Sequence, residues 1–345
     1  MHKINVPLGE RAYNVLIEPN IFRKAGDLYT EVIRGKKALI VSDETVHNLY
    51  GPRLLAMLEA AGIETATFTF PPGEASKSLY TYEKILNACA AFQLTRSDAL
   101  VALGGGVTGD LTGFAAATYQ RGVPFVQIPT TLLAMVDSSV GGKTGVNLLA
   151  GKNLAGAFWQ PRLVICDPEL LGTLEPEIYA DGLAECLKYG ILWDEELFEQ
   201  LRTGTLFQVT EAQIARCVAL KRDVVLLDEC DHGQRQLLNL GHTVGHAIEQ
   251  ASAYSITHGA AVGLGMLHMA KVFCHEIFSD IYEALEKNSL PTSIAISAEQ
   301  IVAALLRDKK RMGNEITLVI PKRIGLCELH KISVKNLSVL MEGWQ

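Results

Sequence analysis

The chain has 345 residues, 48% of them hydrophobic, and a formal net charge of -7. This length exceeds the usual size of one hydrophobic core, so two domains are expected, and the negative charge argues against nucleic acid or an anionic membrane as a partner bound through bulk charge. No apolar signal core begins the chain and no apolar run reaches the length of a membrane span, which predicts a cytoplasmic protein.

The first part of the chain alternates strand-like and helix-like segments. Strands are predicted at 36–43, 64–70, 98–106, 123–129 and 162–168, and helices at 44–62, 78–92 and 110–119. From about Glu175 the pattern is helical at 177–192, 211–228, 242–254 and 259–278, and 315–329 is expected to form a small hairpin before a last helix. The predicted fold class is α/β: a Rossmann-like domain with a parallel sheet over 1–172, then a mainly helical domain over 173–345.

A glycine turn lies between a predicted strand and a predicted helix. Residues 104–109, GGGVTG, match the Gly-x-Gly-x-x-Gly pattern, in which the glycines let a pyrophosphate approach backbone N–H groups and the positive end of a helix. In the usual Rossmann domain this turn follows the first strand, and an acidic residue ends a strand about 20 residues later. Here the turn follows at least two earlier strand–helix units, and no such acidic residue is present, so that order is not met. The acid available for a ribose is Asp43, upstream, and a tight turn without a ligand is the alternative interpretation.

Residues 137–147, DSSVGGKTGVN, resemble the phosphate loop of an NTPase but do not meet its pattern. Such a loop begins with a glycine that lets the backbone fold round the phosphates. Counting back from Lys143, that position is Asp137. A carboxylate there would repel a triphosphate, so we expect this segment to bind something other than ATP.

Three histidines within 17 residues indicate a metal or acid–base site. His242 and His246 lie on one helical face, and His258 follows after a short loop. Glu185, on an apolar stretch one turn before Lys188, is the expected carboxylate ligand. Two histidines and one glutamate with open positions would form a catalytic zinc site. The spacing leaves open which two histidines are ligands, and structural histidines are the alternative.

Cationic and amide side chains accompany these motifs. They are Lys143, Lys152, Asn153, Lys188, Lys221, Arg235 and Asn239, with Arg121 as a further candidate. Each alone is more typical of a solvated surface. Their concentration in an acidic protein predicts a small substrate with more than one negative group. Glu74 and Lys77 are ambiguous, because turn residues of this type occur both in cofactor sites and in turns that bind nothing.

Together the motifs resemble the 3-dehydroquinate synthase family nearly from end to end. The resembling segments are PPGEASKS, ALGGGVTGDLTGFAAATYQRG, QIPTTLLAMVDSSVGGKTGVN, GKNLAGAFWQP, GLAECLKYG, LNLGHTVGHAIE and THGAAV. The resemblance implies an NAD-binding α/β domain, a helical metal- and substrate-binding domain, tightly bound NAD and a zinc or cobalt ion. It also implies a homodimer in which Arg121 reaches the neighbour's site.

The resemblance further implies a role for each candidate residue. The metal ligands would be Glu185, His242 and His258, with His246 against the substrate phosphate. The residues implied around NAD are Asp43, Glu74, Lys77, Gly105, Gly106, Asp110, Thr130, Thr131, Lys143, Lys152 and Thr173. The implied catalytic and substrate set is Asp137, Lys143, Asn153, Lys188, Lys221, Arg235, Asn239, His246 and Arg121. Of these, Lys221 and Arg235 are assigned to a carboxylate, Asp137 to a hydroxyl, and Lys143, Asn153, Asn239 and His246 to phosphate.

The implied reaction converts 3-deoxy-D-arabino-heptulosonate 7-phosphate to 3-dehydroquinate and inorganic phosphate in the shikimate pathway. Transient oxidation by NAD, phosphate elimination, re-reduction, ring opening and an intramolecular aldol closure leave no net redox change. The alternatives are another sugar-phosphate cyclase, a metal-dependent alcohol dehydrogenase of the glycerol dehydrogenase type, and a non-catalytic metal-stabilised binding protein.

Three positions depart from the family's pattern. Ala260 follows His-Gly where glutamate is expected, Met135 stands where glutamine is common, and Cys186 stands where an aliphatic residue is usual. None is a proposed ligand. We therefore expect altered support of the ligands more than lost activity.

Overall fold

The structure is a computed structural model that describes residues 1–204, 206–231, 233–312, 315–341 and 344. Its strands and helices, in chain order, are β1 (His2–Val6), β2 (Tyr13–Ile17), α1 (Ala25–Val32), β3 (Lys37–Asp43), α2 (Glu44–Ala60), β4 (Glu64–Phe70), α3 (Leu79–Ala91), β5 (Ala99–Gly104), α4 (Gly106–Thr118), β6 (Phe125–Pro129), β7 (Lys143–Leu148), β8 (Gly151–Phe158), β9 (Leu163–Cys166), α5 (Pro176–Trp193), α6 (Glu195–Thr203), α7 (Glu211–Leu227), α8 (His242–Ala251), α9 (His258–Phe273), α10 (Phe278–Lys287), α11 (Ala298–Met312), β10 (Glu315–Arg323) and β11 (Leu326–Ser333). Among the described residues, no helix combines the length and the apolarity needed to cross a membrane.

The chain divides into two compact units. Unit 1 is Met1–Leu174 with Thr210–Leu226, and unit 2 is Glu175–Val209 with Leu227–Gln345. The sequence predicts a single boundary after residue 172, whereas the structure returns the chain to unit 1 for most of α7. Helical periodicity shows that α7 buries one face, but it does not show which unit that face packs against. The division into an NAD domain and a metal domain stays a prediction.

Unit 1 is built on a seven-stranded sheet in the order β1-β2-β9-β6-β5-β3-β4, as traced in the described part of the chain. The predicted parallel pairing is confirmed from β2 to β4, and the β-branched run of β3 and all of β5 are buried, as expected for strands covered on both faces. The sequence analysis did not predict β1 and β2. Because β1 pairs antiparallel with β2, the sheet is mixed and not wholly parallel.

The order of the strands creates a crevice at one edge of this sheet. From β3 the chain moves outward to β4 and then returns to β5, on the other side of β3. Helices therefore leave β3 and β5 in opposite directions, and in open α/β sheets ligands bind at the carboxyl ends of such strands. Asp43 ends β3, while Gly105 and Gly106 follow β5.

The segment that resembles a phosphate loop adopts a different structure. One helical turn over Ala134–Ser138 leads into the antiparallel hairpin of β7 and β8, in which Lys143 pairs with Phe158. A phosphate loop would lead into a helix instead. The prediction that 137–147 is not an NTP-binding loop is consistent with this hairpin, although the hairpin itself was not predicted.

Unit 2 is mainly helical, with the predicted small hairpin formed by β10 and β11. A buried cluster that includes Val244, Ile248, Leu264 and Leu318 joins α8, α9 and β10. The segment Val334–Met341 forms the last helix as a tight 3-10 helix. The helical prediction for the second part of the chain is confirmed, with α6, α10 and α11 added by the structure.

Candidate active site

Three helices of unit 2 bring a glutamate and two histidines together. Glu185 lies in the middle of α5, His242 begins α8 and His258 begins α9. The Oε1 atom of Glu185 is 3.5 Å from Nε2 of His242 and 3.5 Å from Nε2 of His258. One potential ligand atom from each of the three residues lies within 4.8 Å of the others. These residues are thus arranged to share one ion.

Glycines allow this approach of α8 and α9. A side chain at Gly265 would overlap the carbonyl group of Gly241, the residue before α8, and a Cβ at Gly245 would lie 3.0 Å from the carbonyl oxygen of Ala261. Gly241 itself has a φ of 76°, in the left-handed region that glycine adopts at little cost. The first turns of α8 and α9, which carry the two imidazoles, therefore lie side by side.

The environment of each histidine affects its proton. Burial lowers the pKa of His242 well below its usual range, and the Lys188 ammonium lowers it further. For His258, burial also lowers the pKa, but hydrogen bonds and charges from Glu185 and Glu249 outweigh it and raise the pKa to about 10. His242 is thus ready to bind a metal as a neutral imidazole, whereas His258 must release a proton first.

The donor set fits a divalent ion of the zinc type. Two imidazole nitrogens and a carboxylate oxygen are the ligands of many catalytic zinc sites, which leave a position open for substrate. Glu185 is 1% exposed, so its carboxylate lies away from bulk water, and Lys188, one turn further along α5, contacts it directly. A carboxylate so deeply buried needs cationic partners, which a lysine and a metal ion would both provide.

His246 and Glu249 form a second group around His258. Their ligand atoms and that of His258 lie within 4.8 Å of one another, and the His246 ring is 5.3 Å from that of His242. The sequence analysis did not assign Glu249. The available signal was its spacing, since Glu249 follows His246 by three residues and His242 by seven and so lies on the same helical face.

In unit 1, the predicted cofactor residues follow the carboxyl ends of parallel strands. Asp43 ends β3, Gly105 and Gly106 follow β5, and Thr130 and Thr131 follow β6. Among the described side chains, none caps the N-terminus of α4, which begins at Gly106. This edge of the sheet therefore presents helix N–H groups and hydroxyls, as a dinucleotide pyrophosphate requires.

Two observations at the glycine turn and the end of β6 are consistent with the predicted cofactor site. A Cβ at Gly105 would lie 3.1 Å from Thr131, and one at Gly106 would lie 3.1 Å from the Ser138 hydroxyl, so larger residues would fill the space above the turn. The hydroxyl of Thr130 is buried and has no hydrogen-bond partner among the described residues. Such a hydroxyl needs a partner, which a bound cofactor would supply.

Other predicted cofactor residues already make contacts within unit 1. The Lys77 ammonium is 2.5 Å from Asp110 and 2.6 Å from the Asn153 side-chain oxygen. Asn147, which the sequence analysis did not single out, donates to Glu74 at 2.6 Å. Burial raises the pKa of Asp110, and Lys77 opposes that effect. The structure thus joins Lys77, Asp110 and Asn153 into one polar cluster.

Two residues of the cofactor set have structural contacts of their own. The Asp43 carboxylate accepts the Val46 N–H at 3.0 Å and caps α2. The Thr173 hydroxyl is 2.7 Å from the hydroxyl of Tyr50, another residue that the sequence analysis did not select. Lys152 lies on β8 next to Asn153. These contacts do not require a ligand.

The substrate candidates fall in both units. In unit 1, Lys221 is 5% exposed and donates to the Asp137 carboxylate at 2.8 Å, while Lys143 begins β7 and is exposed. Arg121 is exposed at the end of the turn after α4. In unit 2, Arg235 is 2% exposed and donates to the Glu229 carbonyl at 2.5 Å. The remaining unit 2 candidates are Lys188, His246 and Asn239, which ends the turn Gln234–Asn239.

Buried cations of this kind are unusual unless they are paired. Lys188, Lys221 and Arg235 are each at most 5% exposed. The sequence analysis treated each one singly as more typical of a solvated surface. Each of them has a partner within its own unit: Lys188 contacts Glu185, Lys221 donates to Asp137, and Arg235 donates to the Glu229 carbonyl. These three are therefore not solvated surface charges, and their role with a ligand stays a prediction.

Comparison with known proteins identifies the family. Residues 67–181 match the family described as 3-dehydroquinate synthase N-terminal, and residues 182–311 match 3-dehydroquinate synthase C-terminal. The 3-dehydroquinate synthase of Nostoc punctiforme is 42% identical over 340 residues, which cover 94% of each chain. That of Lactococcus lactis subsp. cremoris is 41% identical and covers 97% of this chain and 98% of its own.

Among solved structures, the fold is similar to a 2-deoxy-scyllo-inosose synthase complexed with carbaglucose-6-phosphate, NAD+ and Co2+. That comparison gives a TM-score of 0.88 and 24% identity over all of both chains. The fold, with its α/β sheet and helical second part, and the sequence identity to the curated relatives indicate the same family. The chain belongs to the 3-dehydroquinate synthase family.

Proposed function

We propose that the chain converts 3-deoxy-D-arabino-heptulosonate 7-phosphate to 3-dehydroquinate and inorganic phosphate, with NAD and a zinc or cobalt ion as cofactors. The observation that carries the proposal is the approach of Glu185, His242 and His258 to within 4.8 Å in a member of this family. A related cyclase of the same fold was solved with NAD+ and Co2+. Those ligands are brought to this chain as part of the proposal.

The three proposed metal ligands would hold the ion at the place where the substrate hydroxyl binds. A bound divalent ion lowers the pKa of a substrate hydroxyl and polarises it for oxidation. Glu185, His242 and His258 would bind the ion, with the two imidazoles in their neutral forms. Lys188 beside Glu185 keeps part of the carboxylate's charge balanced within unit 2.

In unit 1, the glycine turn and the ends of the neighbouring strands would hold the dinucleotide. NAD supplies a reversible hydride acceptor, which is regenerated in each turnover. Gly105, Gly106 and the N-terminus of α4 would face the pyrophosphate, and Asp43 a ribose. The Thr130 hydroxyl would gain its missing partner. The other proposed contacts are Glu74, Lys77, Asp110, Thr131, Lys143, Lys152 and Thr173.

The buried cations would bind the two anionic groups of the substrate. Lys221 and Arg235 are proposed for the carboxylate and Asp137 for a hydroxyl. Lys143, Asn153, Asn239 and His246 are proposed for the phosphate. Cations and N–H donors at a leaving phosphate stabilise the charge that develops there, by roughly 3 kcal/mol for each well-placed donor. We further propose a cytoplasmic homodimer in which Arg121 contributes to the neighbour's site.

The test is phosphate release from the heptulosonate phosphate, measured with and without a chelator, while absorbance follows NADH. The expected result is stoichiometric phosphate, no accumulation of NADH, and loss of activity with chelator that added zinc or cobalt restores. Glu185→Ala should lose bound metal and nearly all phosphate release, whereas the exposed Glu286→Gln should keep both.

Three outcomes would contradict the proposal. Net NADH formation from a simple alcohol would indicate a dehydrogenase of the glycerol dehydrogenase type. Phosphate release only from other sugar phosphates would indicate a different cyclase. A Glu185→Ala variant that keeps its metal and full activity would remove Glu185 from the ligand set.

A further inference from the structure

We infer that Glu249 and Asp181, which are outside the proposed ligand set, hold His258 in the orientation that metal binding requires. The inference rests on the proposed metal site. Both carboxylates belong to unit 2, and each approaches the start of α9 from a different helix. Glu249 acts on the imidazole ring, and Asp181 acts on the backbone that carries it.

Glu249 faces the nitrogen of His258 that points away from Glu185. Its Oε2 atom is 3.6 Å from His258 Nδ1, while His258 Nε2 faces Glu185 at 3.5 Å. Glu249 is 5% exposed in the last turn of α8, so its carboxylate is placed by packing and does not move freely in water. A carboxylate at Nδ1 selects the tautomer that carries the proton there, and it leaves Nε2 as the atom for the metal.

Asp181 fixes the backbone on which His258 stands. Its carboxylate accepts the N–H of Ala260 at 3.3 Å, and this N–H belongs to the first turn of α9. Asp181 therefore serves as an N-cap for α9 supplied by another helix. A side chain at Gly259 would overlap the Asp181 backbone, so the first turn of α9 lies directly against α5.

The position of Asp181 on α5 relates this cap to the metal site. Asp181 precedes Glu185 by four residues, so the two carboxylates lie on one face of α5. Asp181 binds the helical turn that starts with His258, and Glu185 faces the His258 ring. The helix thus sets the distance between Glu185 and His258 through a second contact.

Asp181 also accounts for one departure noted in the sequence. Residue 260, where glutamate was expected, is a buried alanine whose N–H binds Asp181. A carboxylate therefore still lies at the start of α9, supplied by α5. The His258 side chain is 34% exposed, so packing alone leaves its ring room to turn. The Glu249 carboxylate beside Nδ1 restricts that rotation, while Asp181 holds the backbone in place.

A competing interpretation assigns Glu249 to a second metal ion. Glu249, His246 and His258 also have ligand atoms within 4.8 Å of one another. His258 would then bind one ion through each nitrogen, which requires a fully deprotonated ring. We favour the positioning role because a proton on Nδ1, shared with Glu249, is compatible with one metal on Nε2.

The experiment uses the full-length protein and zinc or cobalt as the probe. Zinc dissociation constants are measured by competition with a chromogenic chelator for the wild type, Glu249→Gln, Glu249→Ala, Asp181→Asn and the control Glu286→Gln. Glu286 is exposed on α10, and its substitution removes the same charge as Glu249→Gln. Visible absorption of the cobalt-loaded proteins reports ligand geometry, and circular dichroism reports folding without metal.

We expect one zinc per chain in the wild type and roughly 10- to 100-fold weaker binding in Glu249→Ala. Glu249→Gln should lose less, because its amide oxygen can still accept the Nδ1 proton, and Asp181→Asn should also bind more weakly. The cobalt spectrum should change in these variants while the metal-free melting temperature of Glu249→Gln stays near that of the wild type. If Glu249→Ala does not fold, Glu249→Gln decides the question.

Three results would overturn the inference in distinguishable ways. Wild-type zinc affinity and an unchanged cobalt spectrum in both Glu249 variants would remove the positioning role but leave the metal site intact. Two zinc ions per wild-type chain, with one lost in Glu249→Ala, would make Glu249 a ligand. A wild type that binds no zinc would remove the metal site itself and, with it, the proposed function.

Discussion

At the scale of single residues, Asp98 shows how one buried carboxylate organises unit 1. It is 4% exposed and accepts hydrogen bonds from the Thr95 N–H and hydroxyl at 2.8 and 2.7 Å, and from the N–H groups of Lys36 and Lys37 at 2.9 and 3.0 Å. Burial alone would raise the pKa of Asp98, but these hydrogen bonds outweigh it and lower the pKa. The carboxylate joins the loop before β5 to the start of β3.

We predict that Asp98→Asn destabilises the protein by about 1–3 kcal/mol at pH 7, because an amide accepts fewer of these hydrogen bonds. The folded-state pKa lies below the unfolded value. The contribution of Asp98 is therefore complete above the unfolded pKa and is lost as the pH falls through the folded pKa. Urea unfolding should show a smaller difference in the free energy of unfolding between the wild type and Asp98→Asn near pH 3 than at pH 7. The exposed Asp27→Asn is the control, and a difference equal at both pH values would contradict the assignment.

At the scale of secondary-structure elements, the contact between α8 and α9 determines whether the two imidazoles meet. The two helices approach so closely that a Cβ at Gly265 would overlap the Gly241 carbonyl. The same helix carries Gly263, whose Cβ would meet only the Leu285 side chain, at 3.0 Å. A flexible side chain can shift, whereas a backbone carbonyl that precedes α8 cannot shift without moving His242.

We predict that Gly265→Ala lowers the free energy of unfolding by about 1–3 kcal/mol and weakens zinc binding, because α8 and α9 must separate. Gly263→Ala should have a smaller effect on both. Denaturant unfolding of the metal-free proteins and chelator competition measure the two quantities. The predicted contact would be refuted by a Gly265→Ala variant as stable as the wild type and with the same zinc affinity.

At the scale of the whole molecule, the proposed homodimer makes a prediction about pairs of variants. A chain with Arg121→Ala would lack the arginine that it supplies to the active site of the neighbouring chain. A chain with Glu185→Ala would lack a metal ligand in its own active site. Each variant alone should be nearly inactive. When the two are co-expressed, about a quarter of the wild-type activity should return, because about half of the dimers are mixed and each has one complete site.

The control for this experiment pairs Glu185→Ala with His242→Ala. Both residues lie in unit 2 of the same chain, so a mixed dimer has no complete metal site and should stay inactive. Differently tagged chains allow the mixed dimers to be purified before phosphate release is measured. Full activity of Arg121→Ala alone, or a monomeric mass, would contradict the shared site.

The helical second part also shows where pattern-based prediction ends. The period of α7 marks it as a helix, yet most of it belongs to unit 1, where Lys221 bonds to Asp137. The hairpin of β7 and β8 carries glycines and exposed residues in place of a clear alternation, so it gave no strand signal. Both features depend on which partner a segment packs against, and local sequence does not report that partner.

By itself, the sequence determined the local structure and the chemical groups available. The class of fold follows from the apolar runs of β3 and β5 and from the glycines at 104–106, because periodicity and turn chemistry act within a few positions. The candidate residues follow from the resemblance of the motifs to one family. Only the tertiary structure decided that Glu185 meets His242 and His258, and that Glu249 and Asp181 support the latter. Those contacts join residues far apart in the chain, and they exist because α5, α8 and α9 pack closely where Gly245, Gly259 and Gly265 leave room.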